Sequence, residues 1–182
     1  GVDTGDCSGP KSGKKVLLQP YVDAAVFETA RGGLLREGLG FDHCQVAVVT
    51  NIGVGDHLGL SYINTVEDLT AVKRVIVQNV TPGTGVAVLN AADPLVAGMA
   101  AHCPGAVTFF ARDPENPIIA KHRAQRKRVV YLEGGSIVPS EAGVIHRIPL
   151  APTPALHMRL DALENEHQWA RTGPGVGGGD DV

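Results

Sequence analysis

Residues 46–51 read Val-Ala-Val-Val-Thr-Asn, a continuous apolar run that ends in two polar residues. Similar runs occupy residues 22–28 (Val-Asp-Ala-Ala-Val-Phe-Glu), 86–90 (Val-Ala-Val-Leu-Asn) and 107–111 (Val-Thr-Phe-Phe-Ala). Short apolar runs without strict alternation are typical of strands that are covered on both faces. Each of the four runs therefore predicts a buried strand.

The segments between these runs predict helices over residues 65–80 and 93–102. Alternation of strands with helices indicates an α/β fold with a mostly parallel sheet flanked by helices. A weaker strand at 128–132, the glycine pair 134–135 and a short strand at 136–138 predict a hairpin that follows the parallel part.

The composition limits the classes of protein that this chain can represent. It has 182 residues, 43% apolar and 19% charged, with a net charge of −3, which is typical of one globular domain. Mild acidity argues against nucleic-acid binding, and the absence of an apolar run of about 18 residues argues against a membrane helix. Three widely spaced cysteines predict reduced thiols in a cytoplasmic protein. We place a domain at 1–150 and a disordered, Pro- and Gly-rich tail at 151–182.

Lys73 is the most informative single residue. At about 100° per residue, a helix over 65–80 places Lys73 in the middle of an apolar stripe between Leu69 and Val77. A lysine in such a stripe requires a partner, a shifted pKa or a chemical modification. The alternative is a lysine whose stem packs while its ammonium group reaches water.

Two polar segments follow predicted strands. Asp56 and His57 lie beyond the run at 46–51, and Glu28 ends the run at 22–28. Ligands bind beyond the carboxyl ends of strands in α/β sheets, so these side chains and Lys73 are expected at one site. Asp and His are suitable metal ligands or acid–base groups, although such a pair also caps helices, and Arg31 is positioned to neutralise Glu28.

Two basic segments are weaker candidates. Residues 8–15 fail the phosphate-loop pattern at its first glycine and at its final hydroxyl residue. Residues 121–128 carry five Lys or Arg side chains, which indicates either a solvated helix face or a surface for an anionic partner.

Four motifs, in order along the chain, resemble the Mur-ligase-like domain of cyanophycin synthetases. They are residues 5–12 (Gly-Asp-Cys-Ser-Gly-Pro-Lys-Ser), 28–42 (Glu-Thr-Ala-Arg-Gly-Gly followed by Leu-Leu-Arg-Glu-Gly-Leu-Gly-Phe-Asp), 55–60 (Gly-Asp-His-Leu-Gly-Leu) and 89–94 (Leu-Asn-Ala-Ala-Asp-Pro). The resemblance runs from about Val2 to Leu150 and implies an incomplete fold of the Mur-ligase central-domain type.

The resemblance implies an ATP- and Mg²⁺-dependent ligase that joins arginine to the side-chain carboxylates of an aspartate polymer. In this family ATP phosphorylates a carboxylate and an amine attacks the acyl phosphate. The family's phosphate loop is absent from this chain, so we expect an inactive fragment that depends on the remainder of a homo-oligomeric synthetase.

The resemblance also assigns roles to individual residues. Glu28, Asp56 and His57 would bind magnesium, and Lys73 resembles the lysine that Mur ligases carbamylate, so Lys73 and His57 would be catalytic. The remaining assignments are nucleotide contacts by Asn90 and Asp93 and substrate contacts by Arg31 and Arg36.

Two departures from the family and three alternatives remain. Ala92 replaces an aspartate of the family motif, and after Leu150 the sequence departs from the family, which suggests a truncated or frameshifted tail. The alternatives are a non-catalytic module that binds a polymer or partner through 121–128, a metal-dependent hydrolase using Glu28, Asp56 and His57, and another Mur-type ligase.

Overall fold

The computed structural model describes residues 9–53, 58–59 and 62–150. The chain divides into two units, Gly1–Ile148 and Pro149–Val182. Almost all described residues lie in the first unit, so the assignment of residues 151–182 to a disordered tail stays a prediction.

The described part of the chain contains five α-helices and seven strands. The helices are α1 (Pro10–Leu17), α2 (Arg31–Glu37), α3 (Val66–Gln78), α4 (Pro94–Gly98), which a 3-10 helix continues over Met99–His102, and α5 (Pro117–Ala124). The strands are β1 (Val46–Val49), β2 (Val86–Asn90), β3 (Ala106–Ala111), β4 (Val129–Glu133), β5 (Ser136–Glu141), β6 (Val144–Ile145) and β7 (Ile148–Pro149).

The sheet is mixed but mostly parallel. Its strand order is β1-β2-β3-β4-β5-β6, with parallel pairing from β1 to β4 and antiparallel pairing at β4–β5 and β5–β6. The hairpin between β4 and β5 turns at Gly134 and Gly135, which have φ of 54° and 73°. The predicted fold class and hairpin are confirmed.

The core lies between one face of the sheet and the helices. Ala47, Val49 and Leu89 of that face pack in one buried cluster with side chains from the helices, including Leu69, Val77, Val96, Met99 and Ile119. The β1–β2 register places Val46 beside Val86 and Val48 beside Val88 on the opposite face. Val46 and Val48 are 55% and 53% exposed, so this face is only partly covered at β1.

The predicted strand at 22–28 is wrong. Residues 24–30 have no regular secondary structure, and Val26 is 99% exposed. The apolar pattern is present, but a strand also requires a neighbour to receive its backbone hydrogen bonds. In the described residues the strand order begins at β1, with which this segment forms no ladder.

Candidate functional site

A cleft opens along β1 between two stretches of chain, residues 23–29 and 43–51. Lys73 and Ile76 of α3 also line this cavity, which we call the β1 cleft. The lining includes charged and polar side chains suited to chemistry or cation binding, namely Asp23, Glu28, His43, Asn51 and Lys73. Glu28 and Lys73 both line this cleft, although Glu28 does not end a strand, and their predicted roles stay predictions.

Residues on either side of Glu28 fix its position. The Phe27 ring stacks on Phe41 with 6.4 Å between ring centroids and 18° between planes. Two residues beyond Glu28, Ala30 takes an extended conformation at the N-cap of α2. The side chain of Glu28 is exposed, so its carboxylate is accessible to a cation in the cleft.

Lys73 is positioned by α3, whose amino end is fixed by Thr65 and Asp68. The Asp68 amide donates to the Thr65 hydroxyl and the Thr65 amide donates to the Asp68 carboxylate, each at 3.0 Å. This capping box starts the helix in the register that buries Leu69 and Val77. Lys73 is half-buried on the same helix and lines the β1 cleft, consistent with its predicted place in the apolar stripe.

Asn90 and Asp93 lie at the carboxyl end of β2, and their side chains are bonded to backbone atoms. The Asp93 carboxylate accepts from the amides of Ile52 at 2.8 Å, Leu95 at 2.9 Å and Val96 at 3.2 Å. The Asn90 amide group donates to the Thr50 carbonyl at 2.8 Å, and its oxygen accepts from the Ala92 amide at 2.9 Å. Neither residue lines the β1 cleft as described, so nucleotide contact by Asn90 and Asp93 stays a prediction.

Four predicted site residues remain: two lie outside the described residues, and two lie on α2. Asp56 and His57 lie outside the described residues, so their predicted metal and catalytic roles stay predictions. Arg31 opens α2 and Arg36 lies in its last turn, and the described lining of the cleft includes neither side chain. Within residues 9–53, 58–59 and 62–150, no three His, Cys, Asp or Glu side chains converge in a group that could hold a metal ion.

Thr50 and Asn51 also line the cleft, and sequence reasoning gave neither a role. The Thr50 hydroxyl donates to the side-chain oxygen of Asn51 at 2.9 Å. Both residues are exposed at the end of β1. Their signal in the sequence is the change from apolar to polar residues at the strand's carboxyl end, which is where ligands bind in this class of sheet.

Cys44 is a further cleft residue with a perturbed pKa. Burial, with a smaller effect from Cys103, raises the pKa of the Cys44 thiol above its ordinary value. Its Sγ lies 3.7 Å from both the Ile76 and the Asn79 carbonyl oxygen. The thiol therefore stays protonated near neutral pH, and Cys44 is poorly suited to act as a nucleophile.

The fold and the cleft define a class of protein. Four parallel strands joined by helices, with polar residues beyond the carboxyl end of β1, form an α/β domain consistent with the Mur-ligase-like type. No helix in the described ranges is both long and apolar enough to cross a membrane.

Sequence comparison relates this α/β domain to the cyanophycin synthetases, which confirms the resemblance carried by its motifs. The chain is 47% identical over 136 residues to cyanophycin synthetase of Synechocystis sp. and 46% identical over 136 residues to that of Crocosphaera subtropica. It is 39% identical over 150 residues to cyanophycin synthetase of Trichormus variabilis.

These alignments cover 75%, 75% and 82% of this chain, but only 15%, 15% and 16% of the respective relatives. The chain therefore spans about a sixth of the length of the curated proteins that it matches. No protein-family model matches the chain.

Proposed function

We propose that this chain forms part of the site of an ATP-dependent amide ligase that joins arginine to the side-chain carboxylates of an aspartate polymer. The similarity to cyanophycin synthetases over 136 residues carries this proposal. We expect the residues of this chain that line the β1 cleft to contribute to this reaction. We further propose that the reaction takes place in the cytoplasm of the producing cell.

The proposed reaction transfers the terminal phosphoryl group of ATP to a carboxylate, with release of ADP. The arginine amine then attacks the acyl phosphate, inorganic phosphate leaves, and the amine loses a proton as the amide forms. Magnesium would supply positive charge for the phosphoryl oxygens and the developing carboxylate charge.

The donor atoms of the described cleft fit magnesium in kind. The cleft lining includes the Glu28 carboxylate and the side-chain oxygens of Thr50 and Asn51. Mg²⁺ prefers oxygen ligands and retains several waters, so a site with few protein donors suits it. We propose that Glu28 binds the cation together with Asp56 and His57.

Lys73 is proposed to act as a carbamate. Carbamylation replaces the ammonium cation by an anion with two oxygen atoms, which would explain a lysine on an apolar helix face beside a cation. Its position in the lining of the β1 cleft supports this role. Arg31 and Arg36 are proposed to neutralise anionic substrate from α2.

A segment exchange tests the proposed function. The 136 aligned residues of the Synechocystis sp. relative are replaced by those of this chain, and arginine incorporation into aspartate polymer is measured. We expect arginine incorporation that requires ATP and magnesium. In Lys73→Ala we expect the incorporation rate to fall by about a hundredfold or more, because the group is proposed to act directly on the transition state.

Lys121→Ala, on an exposed position of α5, is the matched control and should retain activity. An exchanged protein that folds but incorporates no arginine would contradict the proposal. Full activity in Lys73→Ala would instead exclude the role assigned to that lysine.

The basic segment gives little support to a polymer-binding module. Arg128 bonds the Glu141 carboxylate at 2.7 and 2.9 Å, and the Arg123 guanidinium lies 5.4 Å from the centre of the Tyr131 ring. Arg126 donates to the Ala142 carbonyl at 2.5 Å. These arginines hold α5 and the β4–β5 hairpin together. We therefore favour the ligase over a module that binds a polymer or partner through residues 121–128.

A further inference from the structure

The main-chain pairing of β1 with β2 ends at Val49 and Leu89. Beyond that point, two side chains from the end of β2 hold the continuing chain. Asn90 donates to the Thr50 carbonyl at 2.8 Å, and Asp93 accepts from the Ile52 amide at 2.8 Å. Side chains thus replace the ladder bonds for the residues that follow β1, where backbone groups would otherwise need other partners.

Helix capping does not account for this arrangement. The Oδ1 atom of Asp93 caps α4 through the Leu95 and Val96 amides, whereas the Oδ2 atom reaches Ile52. A serine or threonine would suffice for the cap alone. Asn90 makes an independent bond to the same segment, so two separate side chains converge on residues 50–52.

We propose that Asn90 and Asp93 are positioning residues, which fix residues 50–52 against the end of β2 and thereby set the wall of the β1 cleft. The inference that this wall serves cation binding rests on the proposed function. Ile52 is buried at 6% exposure, whereas Thr50 and Asn51 present their side chains to the cleft. The segment 50–52 is therefore held by the buried Ile52 and by backbone hydrogen bonds, while Thr50 and Asn51 line the cavity.

This positioning role of Asn90 and Asp93 differs from the nucleotide contact that the family resemblance implies for them. Both Asp93 oxygens and both ends of the Asn90 amide are already bonded to the backbone. A residue that acts in this way alters cation affinity without touching the cation, as outer-shell partners of metal ligands do.

Asp93→Asn separates positioning from capping. The variant retains an oxygen to cap α4, but places an NH₂ group where Oδ2 accepts from Ile52. Asn116→Asp is the matched control, because Asn116 caps α5 through Ile118 and Ile119 and makes its other bond to the Ala91 carbonyl. Asn90→Ala removes the second anchor independently.

The first measurement is amide hydrogen exchange of the full 182-residue chain by NMR. We expect exchange at Ile52 to accelerate about tenfold in Asp93→Asn, as for the loss of one hydrogen bond to a charged group, with Leu95 and Val96 still protected. Asn116→Asp should leave Ile52 unchanged. Unchanged exchange at Ile52 in Asp93→Asn would overturn the proposal.

The second measurement is Mn²⁺ binding, followed by water-proton relaxation. Asp93→Asn and Asn90→Ala should weaken Mn²⁺ about tenfold, while Asn116→Asp should not. Faster Ile52 exchange with unaltered Mn²⁺ affinity would show a purely structural bond and overturn the positioning role. Absence of Mn²⁺ binding in the unaltered chain would count against the proposed metal site, and the exchange data alone would then decide whether the two residues anchor residues 50–52.

Discussion

His122 has surroundings that oppose its protonation. Its Nε2 lies 3.2 Å from the Val107 carbonyl, and its ring meets Phe109 edge-on at 4.9 Å between centroids. Burial, above all, lowers the pKa of His122 below its ordinary value. The hydrogen bond to the Val107 carbonyl opposes this shift, and the charge of Lys127 adds a smaller lowering effect on the pKa.

The lowered pKa predicts a loss of stability in mild acid. As pH falls below about 6.5, His122 of the unfolded chain takes up a proton before His122 of the folded chain does, so protonation favours unfolding. His122→Gln retains a donor for the Val107 carbonyl but does not titrate. We expect its free energy of unfolding to change less between pH 7 and pH 5 than that of the unaltered chain, as measured by urea denaturation at each pH.

His146→Gln, at an exposed position, is the control for removal of a histidine. An identical pH dependence in His122→Gln and the unaltered chain would contradict the assignment. If His122→Gln and His146→Gln reduce the pH dependence of the free energy of unfolding equally, the surroundings of His122 do not cause that dependence.

For single residues, the sequence predicted where functional side chains lie better than it predicted their hydrogen-bond partners. It singled out Glu28 and Lys73, which line one cleft, and Asn90 and Asp93, which lie together at the end of β2. The bonds from Asn90 and Asp93 to Thr50 and Ile52 span 40 and 41 residues of sequence. Such contacts depend on the register of β1 against β2, which local sequence patterns do not specify.

Helix α3 is the element that carries the predicted Lys73 site, and its stability depends on the capping box. We expect Thr65→Ala to lower the free energy of unfolding by about 1 kcal/mol, because the Asp68 amide loses its acceptor. Thr70→Ala is the control, since the Thr70 hydroxyl donates to the Val66 carbonyl within the helix and caps nothing. Urea denaturation at pH 7 measures both, and an equal loss in the two variants would contradict the role of the cap.

The capping box also gives α3 a dependence on acid. Hydrogen bonds from the Thr65 hydroxyl and the Asn64 and Thr65 amides lower the pKa of Asp68. A carboxylate of this kind stabilises the folded chain above its unfolded pKa of about 3.9, and the effect is lost as pH falls through the lower folded pKa.

Among the elements, the sequence predicted those with a strong internal pattern. Strands β1 to β5 and helix α3 were predicted within a few residues of their observed bounds. The segment 22–28 has the same apolar character as β1, but it remains outside the sheet. Pattern alone indicates the capacity to form a strand, whereas the presence of a neighbouring edge decides whether one forms.

For the whole molecule, the mostly parallel sheet followed from the alternation of strands and helices. The alternation did not predict that one face of the sheet is incompletely covered by helices. Continuous apolar runs predict strands buried on both faces, yet Val46 and Val48 of β1 are more than half exposed. The pattern records which faces are apolar, and only the tertiary structure shows that α3, α4 and α5 contribute to a core on one side.

The difference between the two faces of the sheet can be measured. Leu89 has no exposed surface, so Leu89→Ala should lower the free energy of unfolding by about 2–5 kcal/mol. The double variant Val46→Thr/Val48→Thr preserves shape on the open face and should cost less than about 1 kcal/mol, because exposed substitutions have small effects. The same double variant should reduce the fluorescence of a dye that binds apolar surfaces.

Urea denaturation at two protein concentrations distinguishes an open face from a covered one. A cost for the double variant that approaches that of Leu89→Ala would show that Val46 and Val48 are buried in solution. If that cost grows with protein concentration, the cover is a second copy of the chain, since association stabilises the folded state by mass action. A small cost at both concentrations is the result expected of a sheet that packs its core against helices on one face only.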